Sequence, residues 1–155
     1  TRISSRSRPI SPWGAMLAWA IPLLILGLIV ASFFRGGAEA SVESIGIWIV
    51  VNGVLTSLAT LAALAHPLTV VTAFVAAPLT SLNPTVAAGW VTGLVQAWIK
   101  PPRVADVERL PQDCETLGGF WRNPVSRILL VVVLANLGSS VGTFLAGWLI
   151  AAKVF

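Results

Sequence analysis

Between Ser44 and Ile99 the chain has no Asp, Glu, Lys or Arg, and His66 is the one titratable side chain in that stretch. An ordinary soluble domain carries roughly 25% charged residues. Here 10% of 155 residues are charged and 56% are hydrophobic, with a mean hydropathy of +0.87. Lipid imposes such a gap, because a charge at the centre of an inserted helix costs about 2.5–3.5 kcal/mol. Cysteine is nearly absent too: Cys114 stands alone, which excludes an intramolecular disulfide and leaves the redox compartment open. Histidine is as scarce. One His with no Asp, Glu or Cys beside it makes a poor metal site, so neither a metal nor a cofactor is expected. No basic face recurs along a soluble helix, which argues against nucleic acid as a partner despite the formal charge of +4.

The charges that are present lie in four places: Arg2 to Arg8, Arg35 to Glu43, Lys100 to Arg127, and Lys153. They separate three apolar blocks, so the basic character belongs to loops and points to anionic lipid headgroups. Arg2, Arg6 and Arg8 before an apolar run imitate a signal peptide. The run is too long for that, and it meets Arg35-Gly36-Gly37 instead of a small-x-small cleavage site. Residue 1 is Thr, and the chain is expected to begin inside a longer protein.

An all-α integral membrane fold is expected, with three full spans at about 13–34, 45–65 and 127–152. The first block matches one bilayer core at roughly 30 Å. Ser11-Pro12 reads as its N-cap and first helical residue, Pro22 as a bend, and Trp13 with Phe33-Phe34 as interface markers. Residues 35–44 read as a short polar loop. His66-Pro67 ends the second block, since the residue before proline avoids helical backbone. The stretch 67–99 is too long for one span and is interrupted at Pro78 and Pro84, so two short helices are expected, 67–78 and 84–99. Asn83-Pro84 would open the second, a capping Asn followed by Pro. Residues 100–126 form a mixed-charge loop with an amphipathic turn or two at 104–110 and Phe120-Trp121 at the interface. Asn123-Pro124 opens the last helix.

Charge sets the expected topology. Five basic residues in 100–127 and three in the N-terminal tail, against one in 35–44, place both basic segments in the cytoplasm. Two spans already separate them, so 67–99 crosses zero or two times. It is a hairpin, either re-entrant or made of two thin spans.

Gly89/Gly93 and Gly138/Gly142 are small-xxx-small faces for close helix packing, within the chain or between chains. Asn52, Gly53, Thr56, Ser57 and Thr60 form a polar stripe on the second span. Non-helical backbone at membrane depth must be buried in protein or face water. That makes Thr80, Ser81, Asn83 and Thr85, with Asn136 nearby, a candidate binding site centred on Asn83, or else a self-satisfied packing lock. His66 reads as a cap or interfacial hydrogen bonder, with proton relay or general base as the sharper alternative. A Ser140–His66 dyad has no supporting motif, and no catalytic residue is assigned.

Several stretches together are more specific. Ala65-His-Pro-Leu-Thr-Val-Val-Thr-Ala-Phe-Val-Ala-Ala-Pro-Leu-Thr-Ser-Leu-Asn-Pro-Thr, Ala88-Gly-Trp-Val, Gly119-Phe-Trp-Arg-Asn and Leu134-Ala-Asn-Leu-Gly-Ser-Ser-Val-Gly-Thr-Phe resemble the membrane-embedded C-terminal region of the TraB/PrgY, or pheromone-shutdown, family. The resemblance covers about Ile45 to Phe144. It implies a soluble N-terminal domain, related to the TIKI and erythromycin-esterase-like proteins, whose Gly-x-x-His motifs are proposed to bind metal for peptide hydrolysis. This chain has no such motif, since its His follows Ala63-Leu64-Ala65. The expectation is therefore a membrane anchor and assembly domain in the cell membrane of an archaeon or bacterium. It would be inert as a catalyst, paired as a homodimer, and linked to a peptide only through the missing domain. An external soluble domain would conflict with the N-terminus that the charges place inside. The alternatives are a small transporter or channel built on the broken helix pair, and a membrane peptidase component.

Overall fold

The computed structural model describes residues 12–83 and 85–155. Ser11 as a cap, the tail arginines Arg2, Arg6 and Arg8, the Trp13 side chain and Pro84 as a helix opener lie outside the described residues. Among those described there are only helices: α1 (Pro12–Ala62), α2 (Pro67–Thr80), α3 (Ala88–Ile99), three short helices α4 (Val104–Glu108), α5 (Leu110–Asp113) and α6 (Leu117–Arg122), and α7 (Pro124–Val154). Two stretches are long and apolar enough to cross a membrane, Trp19–Ala62 and Pro124–Val154.

The first of these is not one rod. Gly37 has φ 73° and ψ −165°, a backbone state that only glycine adopts without strain. It folds α1 into two antiparallel limbs, residues 12–36 and 38–62. Ser32 Oγ and Ser44 Oγ meet at 2.8 Å across the fold, Ser41 Oγ donates to Ile29 O at 3.3 Å, and Ile25 packs on Trp48. The loop expected at 35–44 thus shrinks to one residue. Gly37 makes the reversal unaided, and Ala38-Glu-Ala-Ser-Val-Glu continues as helix because alanine and glutamate favour it. Helical backbone also continues through Pro22.

The hairpin boundaries shift as well. α2 runs through Pro78 to Thr80, and α3 begins at Ala88, four residues later than Asn83-Pro84 predicts. The reason is local: Asn83 Oδ1 accepts from Thr85 N (3.0 Å) and Thr85 Oγ1 (2.6 Å), a closed Asx turn with no helix following it. The expectation for α7 holds. Asn123 Oδ1 accepts from Val125 N and Ser126 N, and Pro124 is the first helical residue.

The bundle is inside-out by soluble standards. Asn52, Thr56, Thr60, Thr69 and Thr92 are wholly buried and Gln96 is 2% exposed, while Leu23, Leu24, Val71, Leu94, Trp98 and Trp148 are all more than half exposed. Two small apolar clusters, Ile25/Trp48/Ala146/Ile150 and Ala63/Ala65/Val131, complete the interior. α7 packs chiefly on α1 and on α3, and α2 on the second limb and α3. Because Arg35 donates to Val154 O at 2.6 Å and Lys153 pairs with Glu43, the Gly37 fold and the end of α7 share one end of the bundle. His66, the end of α3 and the segment 100–123 share the other, where Trp121 Nε1 donates to Ala62 O at 2.9 Å.

Candidate functional site: the break between α2 and α3

α2 starts at the 100–123 end of the bundle. Pro67 pre-sets its first turn, and His66 Nδ1 accepts from Leu68 N at 3.2 Å, satisfying one free amide there. Fourteen residues later it stops at the level of Asn52, which lies ten residues, roughly 15 Å, inside the end of the second limb. α3 then returns to the starting end. Gln96 Oε1 accepts from His66 N and from Thr69 Oγ1, both at 2.9 Å, and so ties the two ends of the hairpin together. The hairpin therefore enters and leaves on one side and reverses in the middle of the bundle.

Side chains of other helices hold the reversal. Asn52 Nδ2 donates to Ser81 Oγ (2.7 Å) and to Thr143 Oγ1 (3.3 Å), and Ser139 Oγ lies 3.0 Å from Ser81 Oγ. Ser81 and Thr80 also donate back to Ala77 O and Ala76 O, covering carbonyls that the end of α2 leaves free. The N-terminus of α3 is capped from α7: Asn136 Oδ1 accepts from Gly89 N at 2.7 Å. Pro78 has no N–H, so Phe74 O loses its helical donor. Gly53 lets the second limb close over that carbonyl, where a Cβ would lie 2.9 Å from it. Trp48 Nε1 donates to Pro78 O at 3.4 Å. Among the described residues no buried side-chain nitrogen or oxygen is left without a partner.

The residues singled out in the sequence separate into three groups. Thr80, Ser81 and Asn136 meet at the break. Asn83 and Thr85 are exposed and the Asn83 side chain bonds only to Thr85, so Asn136 serves Gly89 instead of Asn83. His66 sits at the end of the bundle, a level away from Ser140, and the two are not brought together. The glycine faces are filled within the chain: a Cβ on Gly138 would lie 2.8 Å from Leu55 O, one on Gly142 2.8 Å from Asn52 Cα, and Gly89 and Gly93 pack on Val132 of α7. Gln96, Ser139 and Thr143 carry much of the network and were not singled out. Gln96 had a signal, being the one amide side chain in the apolar run of α3. Ser139 was hidden inside the Gly138-Ser-Ser-Val-Gly142 packing motif.

A cleft of about 270 Å³ lies beside the break, lined by Thr80, Ser81, Asn83, Asn136, Ser139 and Ser140 with Ile21, Pro22 and Phe144. Clefts of about 300 Å³ and 290 Å³ lie at the two ends, and the three share no lining residue. The groups around the central cleft are hydroxyls and amides. Among the described residues no three His, Cys, Asp or Glu gather to hold a metal ion.

A helical bundle with a polar interior, an apolar exterior and a half-depth hairpin defines the class. The chain belongs to the TraB family: the family model "TraB family protein, C-terminal domain" matches residues 13–155. An uncharacterized protein of Methanocaldococcus jannaschii is 35% identical over 100 residues, covering 63% of this chain and 25% of the relative. The chain thus spans about a quarter of that relative's length. No solved structure matches it.

Proposed function

We propose that this chain is the membrane-embedded anchoring module of a TraB-family protein. The two limbs of α1 and the helix α7 cross the bilayer, and α2–α3 re-enters it from the side that carries residues 100–123. The carrying observation is the reversal of the usual burial pattern: Asn52, Thr56, Thr60 and Gln96 inside, and Leu, Val and Trp side chains outside. Water would favour the opposite arrangement, whereas lipid favours this one. The break at 81–87 then acts as a packing lock, since Ser81 on one side of it is bonded to Asn52 and Ser139, Thr143 holds Asn52, and Gly89 on the other side is bonded to Asn136. Anchoring requires no catalytic group, and any peptide hydrolysis in the family is assigned to other parts of its proteins. A second copy, in a homodimer, would have to use faces other than the glycine ones, because these are already covered.

One observation favours a second reading. The central cleft reaches Asn83 and Ser140, as a substrate site of a small transporter would. The two readings separate in one preparation. The anchor reading expects the protein to stay in the membrane pellet after an alkaline carbonate wash, and reconstituted vesicles to show no flux of ions or small polar solutes. Release into the supernatant contradicts membrane embedding, and protein-dependent flux abolished by Ser140→Leu supports the transporter.

A further inference from the structure

The hydrogen bonds of Gln96 leave part of its side chain unused. His66 N–H can only donate, so it fixes the amide oxygen of Gln96 toward itself, and Thr69 Oγ1 donates to the same oxygen. The amide nitrogen consequently points the other way. It has no hydrogen-bond partner among the described residues and is not sealed from solvent, although the residue as a whole is only 2% exposed. What it faces is the 300 Å³ cleft at the end of the bundle, lined also by Lys100, Arg103, Asp106 and Arg127.

Three cations and one carboxylate surround this cleft. Asp106 Oδ2 accepts from Arg103 N at 2.8 Å, closing the first turn of α4. Arg127 Nε donates to Trp121 O at 2.7 Å, which braces the guanidinium against α6. The one ion pair among the described residues, Lys153–Glu43, is at the opposite end of the bundle, so no carboxylate is paired with Lys100, Arg103 or Arg127. A half-buried concavity with a preset amide donor and three unpaired cations matches a tetrahedral dianion or diester with several acceptor oxygens. The apolar exterior of α3, with Leu94 and Trp98 72% and 81% exposed, runs up to its rim.

We propose that Gln96, Lys100, Arg103 and Arg127 form a binding site for one phosphate group, the headgroup phosphate of an anionic phospholipid or a soluble phosphate. The lipid source rests on the membrane reading above; the phosphate chemistry does not. Binding would fasten the end of α3 to the start of α7, with the segment 100–123 between them.

Native mass spectrometry of the full chain tests this, after incubation in neutral detergent with phosphatidylglycerol or with phosphatidylcholine. One phosphatidylglycerol should be retained with about tenfold preference, the scale of a single charge-assisted hydrogen bond. Gln96→Glu keeps an acceptor for His66 N and Thr69 while turning the amide donor into a carboxylate, so it should lose the preference. Lys100→Gln should weaken the preference without touching the His66 contact. If excess inorganic phosphate binds and displaces the lipid, soluble phosphate is the source; if it does not, the phospholipid is. Equal retention of both lipids with no phosphate binding overturns the site, as does a preference that survives both substitutions. Neither result bears on whether the chain stays in the carbonate-washed membrane.

Discussion

The chain reverses direction three times within its first hundred residues, at Gly37, at 63–66 and at 81–87, and the first and last of these are built on opposite plans. At Gly37 a single residue does it, at an exposed end of the bundle, with Ser32, Ser44 and the Lys153–Glu43 pair around it. Between α2 and α3 the reversal takes residues 81–87, sits level with Asn52, and draws bonds from both α1 and α7. The difference is access to water. Free amides and carbonyls at an exposed turn can be solvated, so only the backbone dihedral has to be solved, and glycine solves it. In the interior each such group costs about 1–3 kcal/mol unless a side chain replaces water. The inner reversal therefore recruits Asn52, Ser139, Thr143 and Asn136 from elsewhere in the chain.

This contrast can be tested by substitution, with stability read from unfolding of the folded protein in mild detergent by added SDS. The largest effect is expected at Gly142→Leu, whose side chain must enter where a Cβ already lies 2.8 Å from Asn52 Cα; overpacking of this kind costs about 3 kcal/mol. Asn52→Leu should follow at about 2 kcal/mol, because it removes the donor shared by Ser81 and Thr143 in a buried setting. Gly37→Ala should cost about 1–2 kcal/mol, a purely local backbone strain at an end that can relax. Asn83→Leu should be the mildest, within about 0.5 kcal/mol, since Asn83 is exposed and its side chain bonds only to Thr85. If Gly37→Ala proves costlier than Asn52→Leu, solvent access does not separate the two reversals.

Much of this was legible in the sequence, and the exceptions have physical causes. Composition and proline placement give an all-helical chain with a broken pair at 67–99, and Asn123-Pro124 gives the start of α7, because these depend on local chemistry. The start of α3 was misplaced because Asn-Pro is both a helix cap and an Asx turn. The choice between them falls to Asn136, which is 47 positions from Gly89. The polar stripe of Asn52, Thr56 and Thr60 was visible by its spacing, but its partners Ser139 and Thr143 were not, since hydroxyls inside a small-residue motif read as packing. Gly36-Gly37 read as part of a loop over 35–44 because a composition window cannot tell a one-residue hinge from a longer turn. The Gln96 amide stood out only as one polar residue in an apolar helix, and its free nitrogen is a property of the assembled hairpin.

The central claim is that the Gly37 fold and the 100–123 segment lie on opposite sides of a membrane. Cys114 is the only thiol, so it serves as one probe, and Glu39→Cys in a Cys114→Ser background serves as the other. With an impermeant maleimide on intact cells, Glu39→Cys should label directly, and Cys114 should label only after the membrane is permeabilised. Labelling of both sites in intact cells, or of both only after permeabilisation, would contradict it.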